Sequence, residues 1–265
     1  MSYLQTIILG IVQGIAEFLP ISSSGHLVLV EALMHEMGAL DGNLEGNLLL
    51  NIALHFGTLL SIVVIYYRDL LQLLRKPKLM LAIVVATAPL GLVLILKDYY
   101  EALNIPWMAG IGLSITASLL FITPRIDNGT RGLDEISLRD ALIVGLFQVI
   151  APLPGISRSG TTIVAGLLTG MNRETAAKFS FLIAIPAILG ATVAEMKDVL
   201  EQDAIQIDWG PILVGTVVAF VVGVVSLKAL LRVIASRQLR LFGWYCLVVS
   251  WLVLAWQTTV HILAA

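Results

Sequence analysis

The sequence predicts an all-α integral membrane protein made of two halves with inverted topology. Three observations lead to this fold class: an apolar composition, six apolar runs long enough to cross a bilayer, and a motif that occurs twice. Of the 265 residues, 58% are hydrophobic and 13% carry a charge, whereas a soluble domain has about 25% charged residues. The net charge of −2 carries no information on a nucleic-acid partner, and the sequence has no basic cluster that would suggest one.

Six apolar runs have the length and composition of transmembrane helices, since a bilayer core needs about 20 consecutive apolar residues. The predicted spans are residues 48–67, 79–96, 107–123, 179–194, 209–227 and 241–260. They fall into two groups of three, so each half of the chain crosses the membrane an odd number of times.

Each group of spans is preceded by two apolar arms that are joined by a polar tip. The first pair of arms covers residues 3–34, and its tip runs from Glu17 to His26 with a proline, three serines and a glycine. The second pair covers residues 141–171. Each arm of the first pair is too short to cross a bilayer. Irregular backbone at membrane depth is tolerated only where it lines a cavity in the protein, so we expect two re-entrant hairpins with a site at their tips.

The two tips are copies of one motif. At an offset of 135, residues 10–26 align with residues 145–161 without a gap, and eight of the 17 positions are identical. The shared residues include Gln, two Ser and two Gly, which chance similarity between apolar segments does not readily explain. With three crossings in each half, the repeat predicts that halves 1–130 and 136–265 have opposite orientations, an architecture known from transporters.

The distribution of basic residues orients the chain in the membrane. Segments 68–78, 124–140, 172–178 and 228–240 hold 13 of the 16 Lys and Arg residues. Because Lys and Arg accumulate in cytoplasmic loops, we expect these segments in the cytoplasm and the acidic loops 35–47 and 195–208 on the other side. Both termini are then periplasmic, provided that each hairpin returns to the side from which it entered.

Two formal charges stand in apolar surroundings away from segment ends, Glu17 in the first tip and Arg158 in the second. An ionisable residue within a membrane segment is a functional hypothesis by default. One interpretation is an ion pair that only holds the hairpins together. The other is an oxyanion site, because Arg158 is flanked by Ser, Thr and Gly, and a guanidinium fork matches phosphate oxygens in pairs.

The second tip supplies further candidates for binding a phosphate group. The N-terminus of a helix attracts anions through its free N–H groups and its dipole, and hydroxyl groups add donors. The candidates are Ser157, Arg158, Ser159, Gly160 and Thr162, together with Ser22 of the first tip. Ser157 or Ser159 alone is equally well explained as a helix cap.

The first tip carries residues suited to metal binding and proton transfer. Glu17 is a candidate ligand for Mg²⁺, which typically takes one or two carboxylates together with substrate phosphates, and Gln13 shares its helix face. His26 is a candidate general acid/base that would activate one of the serines 22–24. In isolation an interhelical hydrogen-bonding group would be the favoured interpretation, and the presence of Glu17 and the serines reverses this preference. His55 either faces the same site or bonds a neighbouring helix.

The two tips resemble the signature motifs of the bacitracin-resistance family of undecaprenyl-diphosphatases. The matching residues are 17–26, Glu-Phe-Leu-Pro-Ile-Ser-Ser-Ser-Gly-His, and 154–162, Pro-Gly-Ile-Ser-Arg-Ser-Gly-Thr-Thr. The resemblance implies a multi-pass enzyme of the bacterial inner membrane that converts undecaprenyl diphosphate to undecaprenyl phosphate and inorganic phosphate. Such an enzyme recycles the lipid carrier of cell-wall synthesis and confers resistance to bacitracin. The resemblance also implies a divalent metal, Mg²⁺ or Ca²⁺, and a polyprenyl diphosphate substrate, and a homodimer stays open.

By motif position, the resemblance implies that Glu17 is the metal-binding or catalytic carboxylate and His26 the catalytic histidine. Ser23 would be the nucleophile or a phosphate ligand, and Arg158 with its flanking hydroxyl groups matches the diphosphate-binding motif. Many members of the family have Glu where this chain has Gln13, and the neutral amide argues against a metal site with two carboxylates. The role left for Gln13 is to orient a metal-bound water. Serine, histidine and water all stay open as the nucleophile.

An inverted repeat with charges at mid-membrane is also typical of a secondary transporter, or of a flippase for an anionic or lipid-phosphate substrate. The two tips differ, however, in what they offer. A carboxylate and an imidazole on one side face an arginine on the other, which favours cleavage of a bond over passage of a solute.

Overall fold

The computed structural model describes residues 2–36, 44–200 and 208–264. In these parts of the chain the secondary structure is helical, with one isolated bridge between Arg131 and Met171. The predicted all-α class is therefore confirmed. Most of the two acidic loops predicted at 35–47 and 195–208 lies outside the described residues.

The described residues form thirteen α-helices and two 3₁₀ turns, at Ala88–Leu90 and Leu133–Glu135. The helices of the first half are α1 (Tyr3–Ala16), α2 (Ser23–Glu36), α3 (Leu44–Leu73), α4 (Pro77–Thr87), α5 (Gly91–Ile95), α6 (Lys97–Ala102), α7 (Pro106–Phe121) and α8 (Thr123–Ile126). Those of the second half are α9 (Leu138–Val149), α10 (Arg158–Leu168), α11 (Arg173–Leu200), α12 (Trp209–Ala235) and α13 (Arg240–Ala264).

Within the described residues, six helical segments are long and apolar enough to cross a membrane. They are Leu48–Leu73, Pro77–Ile95, Pro106–Ile126, Arg173–Lys197, Trp209–Ala235 and Arg240–Ile262. Each contains most of one predicted span, and most extend beyond it. The chain therefore has the make-up of a multi-pass membrane protein.

The second of these segments is interrupted, although the sequence pattern across it is uniformly apolar. Helix α4 ends at Thr87, a 3₁₀ turn follows, and α5 begins at Gly91. Pro89 lies in this turn. Its ring crowds the carbonyl four residues earlier and it has no N–H to donate, which favours an interruption of the helix at this position.

Helices of the two halves pack reciprocally against each other. Helix α1 lies on α12, α9 lies on α4, α3 packs against α11, and α7 packs against α13. A Cβ on Gly10 would lie 2.7 Å from the carbonyl oxygen of Gly215, and one on Gly145 would lie 2.5 Å from that of Ala86. Small residues of this kind let membrane helices approach closely. Because Gly10 and Gly145 are equivalent in the repeat, both halves use the same residue for this contact.

The short helices α1 and α2 pack against each other, as do α9 and α10. Residues 17–22 connect the helices of the first pair, and residues 150–157 connect those of the second. Both tips reach the interior of the helix bundle, where Phe18 and Ile156 are buried. Phe18 packs on Phe181 of α11, with the ring centroids 6.0 Å apart.

Candidate active site

A serine at the end of each tip caps the helix that follows. Ser22 Oγ accepts a hydrogen bond from the amide of Gly25 at 3.2 Å, and Ser157 Oγ accepts one from Gly160 at 3.1 Å. Such caps satisfy amide groups that the first turn of a helix leaves without partners. The cap interpretation of Ser157 is therefore confirmed. The repeat extends to individual hydrogen bonds, because Ser22 and Ser157 are equivalent positions.

The carbonyl groups of the same two serines also have equivalent partners. Ser22 has a φ of 72°, a left-handed conformation that residues other than glycine adopt rarely and that is often found at functional sites. Its carbonyl oxygen accepts from the amide of His26 at 3.2 Å and from Nδ1 of the same residue at 2.8 Å. The carbonyl of Ser157 accepts from the amide of Thr161 at 2.8 Å and from its hydroxyl at 2.6 Å. Thr161 thus takes the place that His26 has in the first copy.

The first turn of α2 and the second tip touch through glycine residues. A Cβ on Gly25 would lie 2.6 Å from the backbone nitrogen of Gly155. Gly155 has a φ of 86°, and a Cβ there would lie 2.1 Å from the carbonyl oxygen of Ala109 on α7. No side chain fits at either position without displacing backbone. These glycines therefore bring the functional groups of the two tips together.

Glu17 and Arg158 form an ion pair where the tips meet. Arg158 Nη2 donates to Glu17 Oε1 at 2.6 Å, and the two side chains are only 16% and 6% exposed. The other carboxylate oxygen, Oε2, accepts from Ser23 Oγ at 2.7 Å and from Gln13 Nε2 at 3.1 Å. Four of the residues predicted for the site are therefore in one hydrogen-bonded group.

The imidazole of His55 faces the same carboxylate. His55 Nε2 lies 3.8 Å from Glu17 Oε2, and Nδ1 donates to the carbonyl of Asn51 at 2.9 Å. Because a carbonyl only accepts, Nδ1 carries the proton in the neutral ring and Nε2 has a free lone pair. His55 therefore faces the site with the nitrogen that can exchange a proton.

The imidazole of His26 contacts a residue that the sequence analysis did not single out. Its Nε2 lies 2.8 Å from the hydroxyl oxygen of Tyr245 on α13, and the two rings stack with centroids 5.7 Å apart at an angle of 12°. Within the described residues, neither ring nitrogen has a serine hydroxyl as its partner. Activation of a serine by His26 therefore stays a prediction.

The predicted phosphate-binding groups of α10 are supported by Ser180 of α11. Thr162 Oγ1 lies 2.6 Å from Ser180 Oγ, and the carbonyl of Ser180 accepts from Arg158 Nη1 at 3.4 Å. Ser159 Oγ donates to the carbonyl of Leu19 in the first tip at 3.4 Å. Ser180 is fully buried. Sequence reasoning missed it, and the available signal was a single hydroxyl within an apolar run.

Thr116 of α7 fixes the second tip from another direction. Its hydroxyl donates to the carbonyl of Gly155 at 2.8 Å and accepts from the amide of Ser157 at 3.0 Å. The side chain is buried. Sequence reasoning missed this residue as well, because one threonine in a transmembrane helix usually bonds only to its own helix.

Oxygen atoms beside Glu17 suit a hard cation. Oε1 of Gln13 is buried and has no hydrogen-bond partner within the described residues, although buried polar atoms are normally paired. In the same parts of the chain there is no group of three or more His, Cys, Asp or Glu that would hold a metal by itself. The residues therefore fit a Mg²⁺-like ion that takes one carboxylate and one amide oxygen from the protein and the remaining ligands from phosphate and water.

The chain is a helical membrane protein whose site combines a buried carboxylate and a buried guanidinium with hydroxyl groups. This combination is suited to a membrane protein that acts on a phosphorylated substrate. The chain belongs to the family described as bacitracin resistance protein BacA, whose model matches residues 6–252.

Curated relatives cover nearly the whole chain. An undecaprenyl-diphosphatase of Carboxydothermus hydrogenoformans is 40% identical over 263 residues, which is 97% of this chain and 98% of the relative. An undecaprenyl-diphosphatase of Rhodopirellula baltica is 42% identical over 253 residues, covering 92% and 94%. Undecaprenyl-diphosphatase 3 of Bacillus cereus is 38% identical over 263 residues, covering 98% and 99%.

Proposed function

We propose that this protein is a membrane phosphatase that hydrolyses undecaprenyl diphosphate to undecaprenyl phosphate and inorganic phosphate. The observation that carries the proposal is the contact of Arg158 with Glu17 among hydroxyl groups, in a chain of the BacA family with relatives named undecaprenyl-diphosphatase. The reaction would regenerate the lipid carrier of cell-wall precursors. Resistance to bacitracin is consistent with the family name.

In this proposal Arg158 binds the diphosphate group. A guanidinium has five N–H donors in a planar fork that matches a pair of phosphate oxygens. Helix α10 begins at Arg158, so the positive end of the helix dipole lies at the same place and favours an anion. The remaining candidates, Ser22, Ser157, Ser159, Gly160 and Thr162, would line this part of the site.

In this proposal Glu17 and Ser23 provide a base and a candidate nucleophile. Because the hydroxyl of Ser23 donates to Glu17 Oε2, the carboxylate is placed to accept a proton from this hydroxyl or from a water in its position. A bond then forms from the nucleophile to the terminal phosphorus, and the bond to the bridging oxygen breaks. The electron pair leaves with undecaprenyl phosphate. Ser23, His26 and water all stay open as the nucleophile; with Ser23 or His26, a water must then cleave the bond between phosphorus and the side chain to release inorganic phosphate.

A divalent cation, Mg²⁺ or Ca²⁺, would be held by Glu17, with Oε1 of Gln13 as the second ligand from the protein. When bound, it would supply positive charge that stabilises the leaving group and orients the diphosphate. Because the described residues contain no group of three or more His, Cys, Asp or Glu that would hold a metal, they offer few ligands of their own. We therefore expect tight binding of the cation only together with the diphosphate.

The proposed architecture is an inverted repeat. Halves 1–130 and 136–265 would each consist of a re-entrant hairpin, residues 3–34 or 141–171, and three transmembrane helices. Reciprocal packing of α1 on α12 and of α9 on α4 supports this arrangement, as do the equivalent caps of the two tips. With the basic segments in the cytoplasm, both termini would be periplasmic.

Transport of an anionic or lipid-phosphate substrate is the alternative function, and the reciprocal packing of the halves also supports it. Release of inorganic phosphate distinguishes a phosphatase from a transporter. We expect the purified protein in detergent to release inorganic phosphate from undecaprenyl diphosphate, and Arg158→Ala to lose most of this activity. Arg68→Ala, which removes an arginine that donates to Tyr67, is the matched control. A folded wild-type protein that releases no phosphate but moves the lipid across vesicles would favour the transporter.

A further inference from the structure

Tyr245 of α13 is the partner of His26, although 219 positions separate them in the sequence. A hydrogen bond of 2.8 Å joins Tyr245 Oη and His26 Nε2, and the planes of the two rings are nearly parallel, at 12°. This bond, together with that of Nδ1 to the carbonyl of Ser22, fixes the orientation of the imidazole. The position of the ring thus depends on a residue outside both motifs.

The hydrogen bonds also determine the tautomer of His26. Its Nδ1 lies 2.8 Å from the carbonyl oxygen of Ser22, which can only accept, so Nδ1 carries the proton of the neutral ring. The lone pair is then on Nε2, and the phenol of Tyr245 donates to it. Without this donor, Nε2 would lose the partner that holds it in place.

Neighbouring contacts hold Tyr245 in this position. The next residue, Cys246, is fully buried, and its thiol lies 3.7 Å from the carbonyl oxygen of Pro20 in the first tip. Two adjacent residues therefore attach helix α13 to the first tip. Cys246 contacts the backbone of the tip, and Tyr245 contacts the imidazole of His26. Tyr245 itself is 43% exposed, so its hydroxyl is accessible, unlike the buried pair of Glu17 and Arg158.

We propose that Tyr245 is the positioning residue that keeps His26 ready for proton exchange. A hydroxyl donates as well as accepts, so it fits both states of the ring: it donates to Nε2 when the imidazole is neutral and accepts from Nε2–H when it is charged. For the exchange itself the O–H bond of Tyr245 turns away from Nε2 and the phenol keeps its proton. The O–H bond of the water that releases inorganic phosphate breaks as Nε2–H forms, and the phenol then accepts from Nε2–H. The inference rests on the proposed function, because it assumes that His26 exchanges a proton during hydrolysis.

The first test is a double-mutant cycle on phosphate release from undecaprenyl diphosphate. We expect Tyr245→Phe to lower kcat about tenfold with little change in KM, since a hydrogen bond to a charged group is worth about a factor of ten or more. In the His26→Gln background, Tyr245→Phe should have no further effect. Tyr100→Phe is the matched control, because it removes a phenol hydrogen bond of 2.9 Å to the carbonyl of Val149, and its activity should equal that of the wild type.

The second test does not depend on turnover. In ¹⁵N spectra, the imidazole signals assigned to His26 by their loss in His26→Gln should show the Nδ1–H tautomer with a hydrogen-bonded Nε2. In Tyr245→Phe, the Nε2 signal should move to the position of an unbonded nitrogen.

Three results for Tyr245→Phe would overturn the inference. They are an unchanged kcat, a loss of kcat that adds to the loss caused by His26→Gln, and a loss of kcat that is accompanied by a matching fall in Tm. A wild-type protein without phosphatase activity would instead refute the proposed function, and the spectra would still show whether Tyr245 orients His26.

Discussion

Arg158 donates a hydrogen bond of 2.6 Å to Glu17 across 141 positions of the sequence. Two roles are compatible with this contact, a phosphate clamp and an ion pair that holds the tips together. If Arg158 is the clamp, Arg158→Lys should lower kcat/KM about ten- to a hundredfold, because lysine keeps the charge but loses the planar fork. Steady-state kinetics with undecaprenyl diphosphate measures this, and a fully active Arg158→Lys enzyme would exclude the bidentate clamp.

Thermal stability tests the structural role of the same pair. Removing one partner of a buried ion pair leaves an uncompensated charge and typically costs about 3–5 kcal/mol. If the pair is mainly structural, Arg158→Ala should lower Tm strongly, and the double variant Glu17→Gln/Arg158→Gln should recover it. For a clamp we expect a modest change in Tm and a large loss of activity. Melting curves of purified Arg158→Lys, Arg158→Ala and Glu17→Gln/Arg158→Gln distinguish the structural ion pair from the phosphate clamp.

Gln13→Glu should strengthen the binding of Mg²⁺ while activity is retained. Gln13 Nε2 now donates to Glu17, so a glutamate there would place two carboxylates together, which is favourable only with a cation between them. The measurement is the Mg²⁺ concentration that gives half-maximal activity, which should fall. Gln148→Glu is the control at the equivalent position of the repeat, where Nε2 points to the carbonyl of Ala86. An inactive Gln13→Glu protein would show that a neutral side chain is required.

Gly25→Ala should disrupt the contact between the first turn of α2 and the second tip. The new Cβ would lie 2.6 Å from the backbone nitrogen of Gly155, and overpacking of this kind costs about 1–3 kcal/mol. We expect a lower Tm and a larger loss of activity than of stability, because the distance between Glu17 and Arg158 depends on this contact. Gly91→Ala is the control, since a Cβ there has no atom within 4 Å. Equal Tm and equal activity of Gly25→Ala and Gly91→Ala would mean that the two tips do not depend on this contact.

Single cysteines test the topology. We expect cysteines at Asn43 and Asp203, both outside the described residues, to react with a membrane-impermeant reagent from the periplasm, and a cysteine at Lys76 to be protected. The chain's own Cys246 is fully buried, so wild-type protein serves as the unlabelled background. Labelling of Asn43 or Asp203 only from the cytoplasm would contradict the inverted arrangement.

Sequence reasoning identified the helices and the polar cluster because both depend on local patterns. Apolar runs of sufficient length predict transmembrane helices regardless of their neighbours, and all six occur in the structure. The cap at Ser157 was found in the same way, because the acceptor and the amide are three residues apart. Ser180 and Tyr245 had no comparable signal. Each lies in a largely apolar helix, and its role depends on which helix lies opposite.

The sequence by itself therefore determined that the protein is a helical membrane protein with two copies of one polar tip, because hydropathy and capping depend on nearby residues. Only the tertiary structure decided the partners of His26 and His55. In each, Nδ1 bonds the carbonyl four residues earlier, which is a local contact. Nε2 then points to whichever helix lies opposite, so His55 faces Glu17 and His26 faces Tyr245. The choice depends on packing between helices that are distant in the chain, and no local pattern encodes it.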